Sequence, residues 1–209
     1  MIEVINYTKE IKGVHVLNNI SVKFDDGVVY GLKGINGSGK TMLMRAICGL
    51  ISPTSGSVVI DGDTLGKKIS FPTSVGVLIE NPAFIDSMTG YKNLELIASI
   101  KGIVSSEDIA RSLSDVGLDP DDKRKYRKYS LGMKQRLGIA AAIMEKPKLL
   151  ILDEPLNALD TDGIECVHKI IDDFKKRGST VILSCHDAEE LDNLADVIYK
   201  MEGGAIKHE

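Results

Sequence analysis

The chain has 209 residues, with 26 Lys plus Arg against 30 Asp plus Glu and a formal charge of −4. A chain of this length buries about 70% of its unfolded surface, so it folds without disulfides or a structural metal. Hydrophobic residues at 43% and charged residues at 27% exclude a disordered, collagenous or fibrous chain. The negative balance, with aromatics at 5%, argues against general nucleic-acid binding. The longest run without a polar residue, Leu137 to Met144, is far shorter than the roughly 20 residues of a membrane span. The opening MIEVINYTKE lacks the apolar core of an export signal, and three cysteines without a CxxC pair fit a reducing compartment. The expected location is therefore the cytoplasm.

In chain order, Val16 to Phe24 alternates as a strand, Asp25-Asp26-Gly27 is a turn, and Val28 to Leu32 is a short apolar strand. A helix begins near Lys40, with Leu43, Ile47 and Leu50 on one face and Gly49 near its end. Pro53 to Gly56 reads as a turn, Val58 to Ile60 as a strand, Asp61-Gly62 as a turn and Val75 to Ile79 as an apolar strand. From Phe84 to Lys128 the period becomes helical, through Leu94, Ile97, Ala98 and Lys101, then Ile109, Leu113 and Val116. A helix over Leu131 to Glu145 precedes a strand at Leu149 to Leu152, a helix around Ile164 to Phe174 and a strand at Val181 to Leu183. A helix through Leu191, a strand at Val197 to Met201 and a short strand after Gly203-Gly204 close the chain. Apolar strands separated by helices predict an α/β domain over residues 1–209, with a mostly parallel sheet flanked by helices. Residues 84–128 read as an inserted helical subdomain.

The stretch Gly34-Ile35-Asn36-Gly37-Ser38-Gly39-Lys40-Thr41 fits the P-loop pattern, with a strand before it and a helix after it. Glycines let successive N–H groups turn inward around an anion, and the helix N-terminus adds partial positive charge. Lys40 is spaced to reach the β- and γ-phosphates, and Thr41 to place its hydroxyl on Mg²⁺. The strand Leu149 to Leu152 ends in Asp153-Glu154. Asp153 suits the hydration shell of the metal, and Glu154, one residue on, suits orientation or deprotonation of an attacking water. A P-loop alone fits a kinase, a GTPase or a transport motor equally; the second acidic site begins to separate them.

Tyr129-Ser130-Leu131-Gly132-Met133-Lys134-Gln135-Arg136 resembles the signature of the ATP-binding subunits of ABC transporters, retaining Ser130 and Gly132 with Tyr129, Leu131 and Met133 substituted. Ser130 also suits the N-cap of the following helix, whose first-turn N–H groups make a second anion site. Leu156-Asn157-Ala158-Leu159-Asp160 resembles the family loop that ends in Asp, and Ser184-Cys185-His186 its switch histidine. The resemblance spans the whole chain, with the motifs in order. It implies a P-loop NTPase fold of the ABC ATPase type, with an N-terminal antiparallel β part and an inserted α-helical subdomain. It further implies Mg-dependent ATP hydrolysis by two cassettes stacked head to tail, as a homodimer or with a paralogue, Ser130 acting on the partner's nucleotide. A separately encoded multi-span permease is the implied membrane partner, placing the chain on the inner face of the membrane. Phe84, Ile85 and Met88 are candidate contacts for that permease or ordinary core.

Two positions depart from the family. Where it has Gln, this chain has Glu80, followed by Asn81-Pro82. A carboxylate also ligates Mg²⁺, yet adds charge beside Asp153 and Glu154. With the signature variant, Glu80 makes the chain look most like the bacitracin-resistance and lantibiotic-immunity branch, which exports or protects against antimicrobial peptides. The family's adenine-stacking aromatic falls on Ile11, with Tyr7 as a substitute, and losing the ring forfeits about 1–3 kcal/mol of stacking. Lys123 to Lys128, basic with Tyr126 inside it, reads first as a solvated face and otherwise as a contact for nucleic acid, nucleotide, the partner subunit or anionic lipid. Of the rival functions, a soluble ABC-type ATPase of DNA repair or translation usually carries long coiled coils, zinc insertions or fused halves that this chain lacks, and a small-molecule kinase needs an acceptor pocket and lid and would make the signature helix accidental.

Overall fold

The computed structural model describes residues 1–80 and 82–207. In chain order the elements are β1 (Ile2–Ile11), β2 (Val14–Phe24), β3 (Val29–Lys33), α1 (Lys40–Ile47), β4 (Ser55–Ile60), β5 (Asp63–Thr64) and β6 (Val75–Leu78). They are followed by α2 (Gly90–Lys101), α3 (Ser106–Asp115), a 3₁₀ turn at Tyr126–Lys128, α4 (Leu131–Ile143) and β7 (Leu149–Leu152). Then come α5 (Thr161–Lys176), β8 (Thr180–Ser184), α6 (Ala188–Leu194), β9 (Val197–Glu202) and β10 (Ala205–Lys207).

Two sheets form. The antiparallel one has the order β2-β1-β4-β5, and the larger one β10-β9-β3-β8-β7-β6. In the larger sheet β9, β3, β8, β7 and β6 run parallel, and only β10 is antiparallel to its neighbour. The β1–β2 hairpin turns at Lys12-Gly13 and the β4–β5 hairpin at Asp61-Gly62, with positive φ at all four residues. Such turns match the twist of the paired strands.

Both faces of the larger sheet are buried, which explains its unbroken apolar strands. Leu149, Ile151 and Ile182 point into one core with Leu17, Phe24, Leu32 and the α1 residues Leu43, Met44 and Ile47. The intervening Leu150, Leu152, Val181 and Leu183 point the other way, into a core with Leu137 and Ile139 of α4 and Val167 and Phe174 of α5. Helix α1 thus lies between the two sheets, with the P-loop at its start.

Some element ends differ from the sequence reading. Helix α1 stops at Ile47, because Gly49 takes a left-handed φ of 76°, and Leu50 is left exposed instead of joining the buried face. Helix α4 ends at Ile143 rather than Glu145, just before Lys146 at φ 50° and Pro147. The Pro53–Gly56 turn gives way to β4 at Ser55, which pairs with Thr8.

Candidate active site

The loop from β3 to α1 holds the residues that the sequence assigns to phosphate binding. Gly37 and Gly39 have φ of 79° and 106°, conformations that side chains with a Cβ rarely adopt. Gly39 is the N-cap of α1 and offers no side-chain acceptor, so the first-turn N–H groups stay free for an anion. Ser38 is buried and its Oγ has no partner among the described residues. Lys40 folds back, its Nζ donating to the carbonyls of Gly34 (2.6 Å) and Ile35 (3.2 Å). Uncapped donors, an orphaned hydroxyl and an ammonium held only by carbonyls fit a polyphosphate. The cleft above them measures about 530 Å³ and runs from Asn36 to Met42, past Asp153, Glu154 and His186, to Val14, His15, Val16 and Gly203-Gly204.

Asp153 and Glu154 line the cleft, whereas Glu80 lies outside its lining, on the neighbouring strand that the parallel pairing of β6 and β7 sets beside them. Leu78 is in register with Leu152, so Glu80 and Glu154 occupy matching positions two residues past the paired strand ends. Both have left-handed backbones, with φ of 61° and 53°. Asp153 is buried and bound through both oxygens: Oδ2 accepts from Thr41 Oγ1 and Oδ1 from Ser184 Oγ, each at 2.6 Å. Thr41 and Asp153 are the adjacent hard oxygen donors that Mg²⁺ takes. The Glu154 N–H donates to Ser184 Oγ (3.1 Å), while Gln135 Nε2 donates to the carbonyls of Glu154 (3.0 Å) and Pro155 (3.1 Å). These three bonds hold Glu154 in a strained conformation with its side chain toward the cleft. His186 Nε2 lies 3.6 Å from Glu154 Oε1, on an imidazole that is 56% exposed. Glu80 turns to Arg45, whose Nη2 donates to its Oε1 at 2.6 Å.

A family model described as ABC transporter matches residues 17–157. The chain belongs to the ABC transporter family. It is 51% identical to an uncharacterized ABC transporter ATP-binding protein, YybJ of Bacillus subtilis (strain 168), across 99% of this chain and 95% of that protein. The bacitracin transport ATP-binding protein BcrA of Enterococcus faecalis is 41% identical, over 100% of this chain and 68% of its own length. The lantibiotic transport ATP-binding protein SrtF of Streptococcus pyogenes is 40% identical, over 99% and 89%. A solved structure described as an ATP-binding subunit of an ABC transporter superposes with a TM-score of 0.89 at 26% identity, covering 100% of this chain and 88% of that one. The cassette is thus an ATP-binding ATPase subunit of the ABC transporter class, and the DNA-repair alternative finds no support in these relatives.

The remaining motifs of the cassette lie apart from the P-loop cleft. Ser130 caps α4, its Oγ accepting from the Met133 N–H at 3.2 Å. A Cβ on Gly132 would meet the Ala158 carbonyl at 2.7 Å, so the signature start packs directly on the loop before Asp160. Asp160 caps α5 and accepts from Arg136 and from the Gly163 N–H; the Arg136 guanidinium, then that N–H, holds its carboxyl below the usual range. Ser130, Gly132 and Asp160 line a second concavity of about 810 Å³ that shares no lining residue with the P-loop cleft.

The base end departs from expectation at Tyr7. Tyr7 is 1% exposed, donates to the Ile51 carbonyl at 3.0 Å and has its phenol pushed up to about 12 by burial, so it cannot stack on a base. Ile11 ends β1, 41% exposed, and the cleft wall nearest the β1–β2 turn is made by Val14, His15 and Val16. Asn81 lies outside the described residues. In the basic run, Tyr126 is buried and bonds the Pro82 carbonyl at 2.8 Å, tying the helical segment to the chain after Glu80, while the cations around it are exposed. Phe84 stacks edge-on against Tyr126, and Ile85 is 42% exposed.

Sequence reasoning missed Ser184, Gln135, Arg136 and Arg45 as site residues. Ser184 was visible only as the residue before Cys185-His186, and its partners are set by parallel pairing of β7 with β8. Ser184→Ala leaves Asp153 Oδ1 and the Glu154 N–H without that hydroxyl. The expected cost is about 1–3 kcal/mol, a drop of several degrees in the thermal midpoint. Calorimetry of the variant checks this, and an unchanged midpoint would discard the bridging role.

Proposed function

We propose that this chain binds Mg·ATP in the P-loop cleft, hydrolyses it between two facing cassettes, and drives a separately encoded multi-span permease from the cytoplasmic face of the membrane. The reading rests on one observation above all. The cleft that holds Lys40, Asp153 and Glu154 contains no signature residue, and Ser130 and Gly132 line a different concavity. A single chain therefore has two half-sites that a head-to-tail two-fold pair would complete.

In this reading Gly34 to Gly39 wrap the phosphates with backbone N–H groups, and Lys40 leaves its two carbonyls for the β- and γ-phosphates. Thr41 and Asp153 hold Mg²⁺, which supplies neutralisation of the phosphate charge. Glu80 is a further ligand of the metal or of the attacking water. Glu154 takes the water's proton as it attacks, and His186 hydrogen-bonds the γ-phosphate and keeps Glu154 oriented. Ser130 and Gly132 of the second cassette cover the triphosphate, with Asp160 at the junction. The base packs near Ile11 and the cleft wall at Val14 and His15. Association with ATP and release after hydrolysis do mechanical work on the permease. Apolar Ile85 beside Phe84 and Met88 forms part of its docking site. Identities of about 40% to bacitracin and lantibiotic transport proteins support antimicrobial peptides as the cargo class.

Ser130→Asp tests the pairing. Aspartate keeps the N-cap, so the fold survives, but it presents a carboxylate to the partner's phosphates. ATP binding to the single chain is expected to persist while ATP-driven dimerisation and turnover are lost. Light scattering with saturating Mg·ATP reads this, and a dimer that forms as well as wild type would refute the head-to-tail arrangement.

A further inference from the structure

With Glu80, the acidic strand ends beside the cleft carry one more negative charge than the family pattern, and the molecule contains a group placed to cancel it. Asp153, Glu154 and Glu80 stand at the ends of two neighbouring strands, β6 and β7, in matching register. Glu80 stands beside the two carboxylates that line the cleft, and a third negative charge there repels a triphosphate as readily as it attracts a cation. Arg45 belongs to the same helix as the P-loop Lys40 and Thr41. It follows Thr41 by four residues, so the two side chains share one face of α1. From that face Arg45 Nη2 donates to Glu80 Oε1 at 2.6 Å. Among the described residues Glu80 Oε2 accepts nothing, so one oxygen is held and the other is free, while Glu80 itself lies beside the P-loop cleft and not in its lining.

We propose that Arg45 is the counter-charge of Glu80: a positioning residue that fixes one carboxylate oxygen and neutralises the group. The free oxygen can then serve a metal or water as the uncharged oxygen of an amide would. The inference rests on the proposed role of Glu80 toward the Mg·ATP site. Among the described residues only Arg45 makes this contact, and the pair is too exposed, at 33% and 62%, to be explained as a stability device. Its cost and benefit fall on the ligand instead.

The signs of the expected effects are opposite, which makes the pair testable. Arg45→Gln leaves an uncompensated carboxylate: ATP binds more weakly in EDTA, and less Mg²⁺ is needed to reach tight binding. Glu80→Gln leaves an uncompensated guanidinium: ATP binds more tightly in EDTA, and more Mg²⁺ is needed. Each shift should be about fivefold, the lower range of coupling between neighbouring sites. The double variant removes both charges and should return both readouts to near wild type, and Arg45→Lys, which keeps the cation, should do the same. Titration calorimetry of ATP into the full chain, in EDTA and across a Mg²⁺ series, reads all five proteins without reference to turnover. If Glu80→Gln moves the Mg²⁺ midpoint and Arg45→Gln does not, or moves it the same way, the counter-charge is wrong while the ligand role of Glu80 stands. If Glu80→Gln moves nothing, both fall.

Discussion

Glu154→Gln should lower ATP turnover by at least about 100-fold, the lower range for loss of a general base, while ATP affinity stays near wild type. The amide keeps the size and the oxygen of the side chain but cannot accept the water's proton. The backbone that presents it is unaffected, because the bonds from Glu154 N–H to Ser184 and from Gln135 to the Glu154 and Pro155 carbonyls involve no carboxylate atom. With hydrolysis blocked, the proposed ATP-bound pair would not be released by turnover, so a long-lived dimer should accumulate. Phosphate release and size-exclusion chromatography with light scattering measure the two effects. Turnover close to wild type would assign the base elsewhere, with His186 the neighbouring candidate at 3.6 Å from Glu154.

Lys40→Met should weaken ATP binding by about 10²-fold, the worth of a pair of charge-assisted hydrogen bonds to phosphate. Methionine matches the apolar stem, and Lys40 is 7% exposed, so the helix start keeps its packing. What the variant loses in the free protein is two bonds to carbonyls of the loop, from Gly34 and Ile35. The expected loss of stability is about 1 kcal/mol, well below the effect on the ligand. A fluorescent ATP analogue titrated into both proteins, alongside thermal melts, separates binding from folding. Equal affinity in the two would show that Lys40 stays on its carbonyls and never reaches the nucleotide.

How far residue order alone reached depends on the range of each interaction. The conformation of the P-loop was legible because glycine spacing writes inward-turned backbone N–H groups directly into the chain, and Gly37 and Gly39 take the left-handed φ that this requires. Ser130 as an N-cap, and Asp153-Glu154 at the end of an apolar strand, were legible for the same local reason. The end of α1 was misjudged because the apolar period runs on through Leu50, whereas the left-handed Gly49 turns the backbone away after Ile47. Tyr7 was misjudged because a strand aromatic reads the same whether its face meets solvent or core. Here the stacking of α1 under the antiparallel sheet buries it.

Residue order by itself determined the α/β class, the family, the phosphate loop and the acidic pair, all of them encoded within a few neighbouring positions. Tertiary structure alone decided that Asp153 is clamped between Thr41 and Ser184, that Glu80 and Glu154 share a register, and that Arg45 answers Glu80. These depend on which parallel strands lie side by side. Pairing across a crossover is fixed by packing over the whole domain, not by any signal near the residues it brings together.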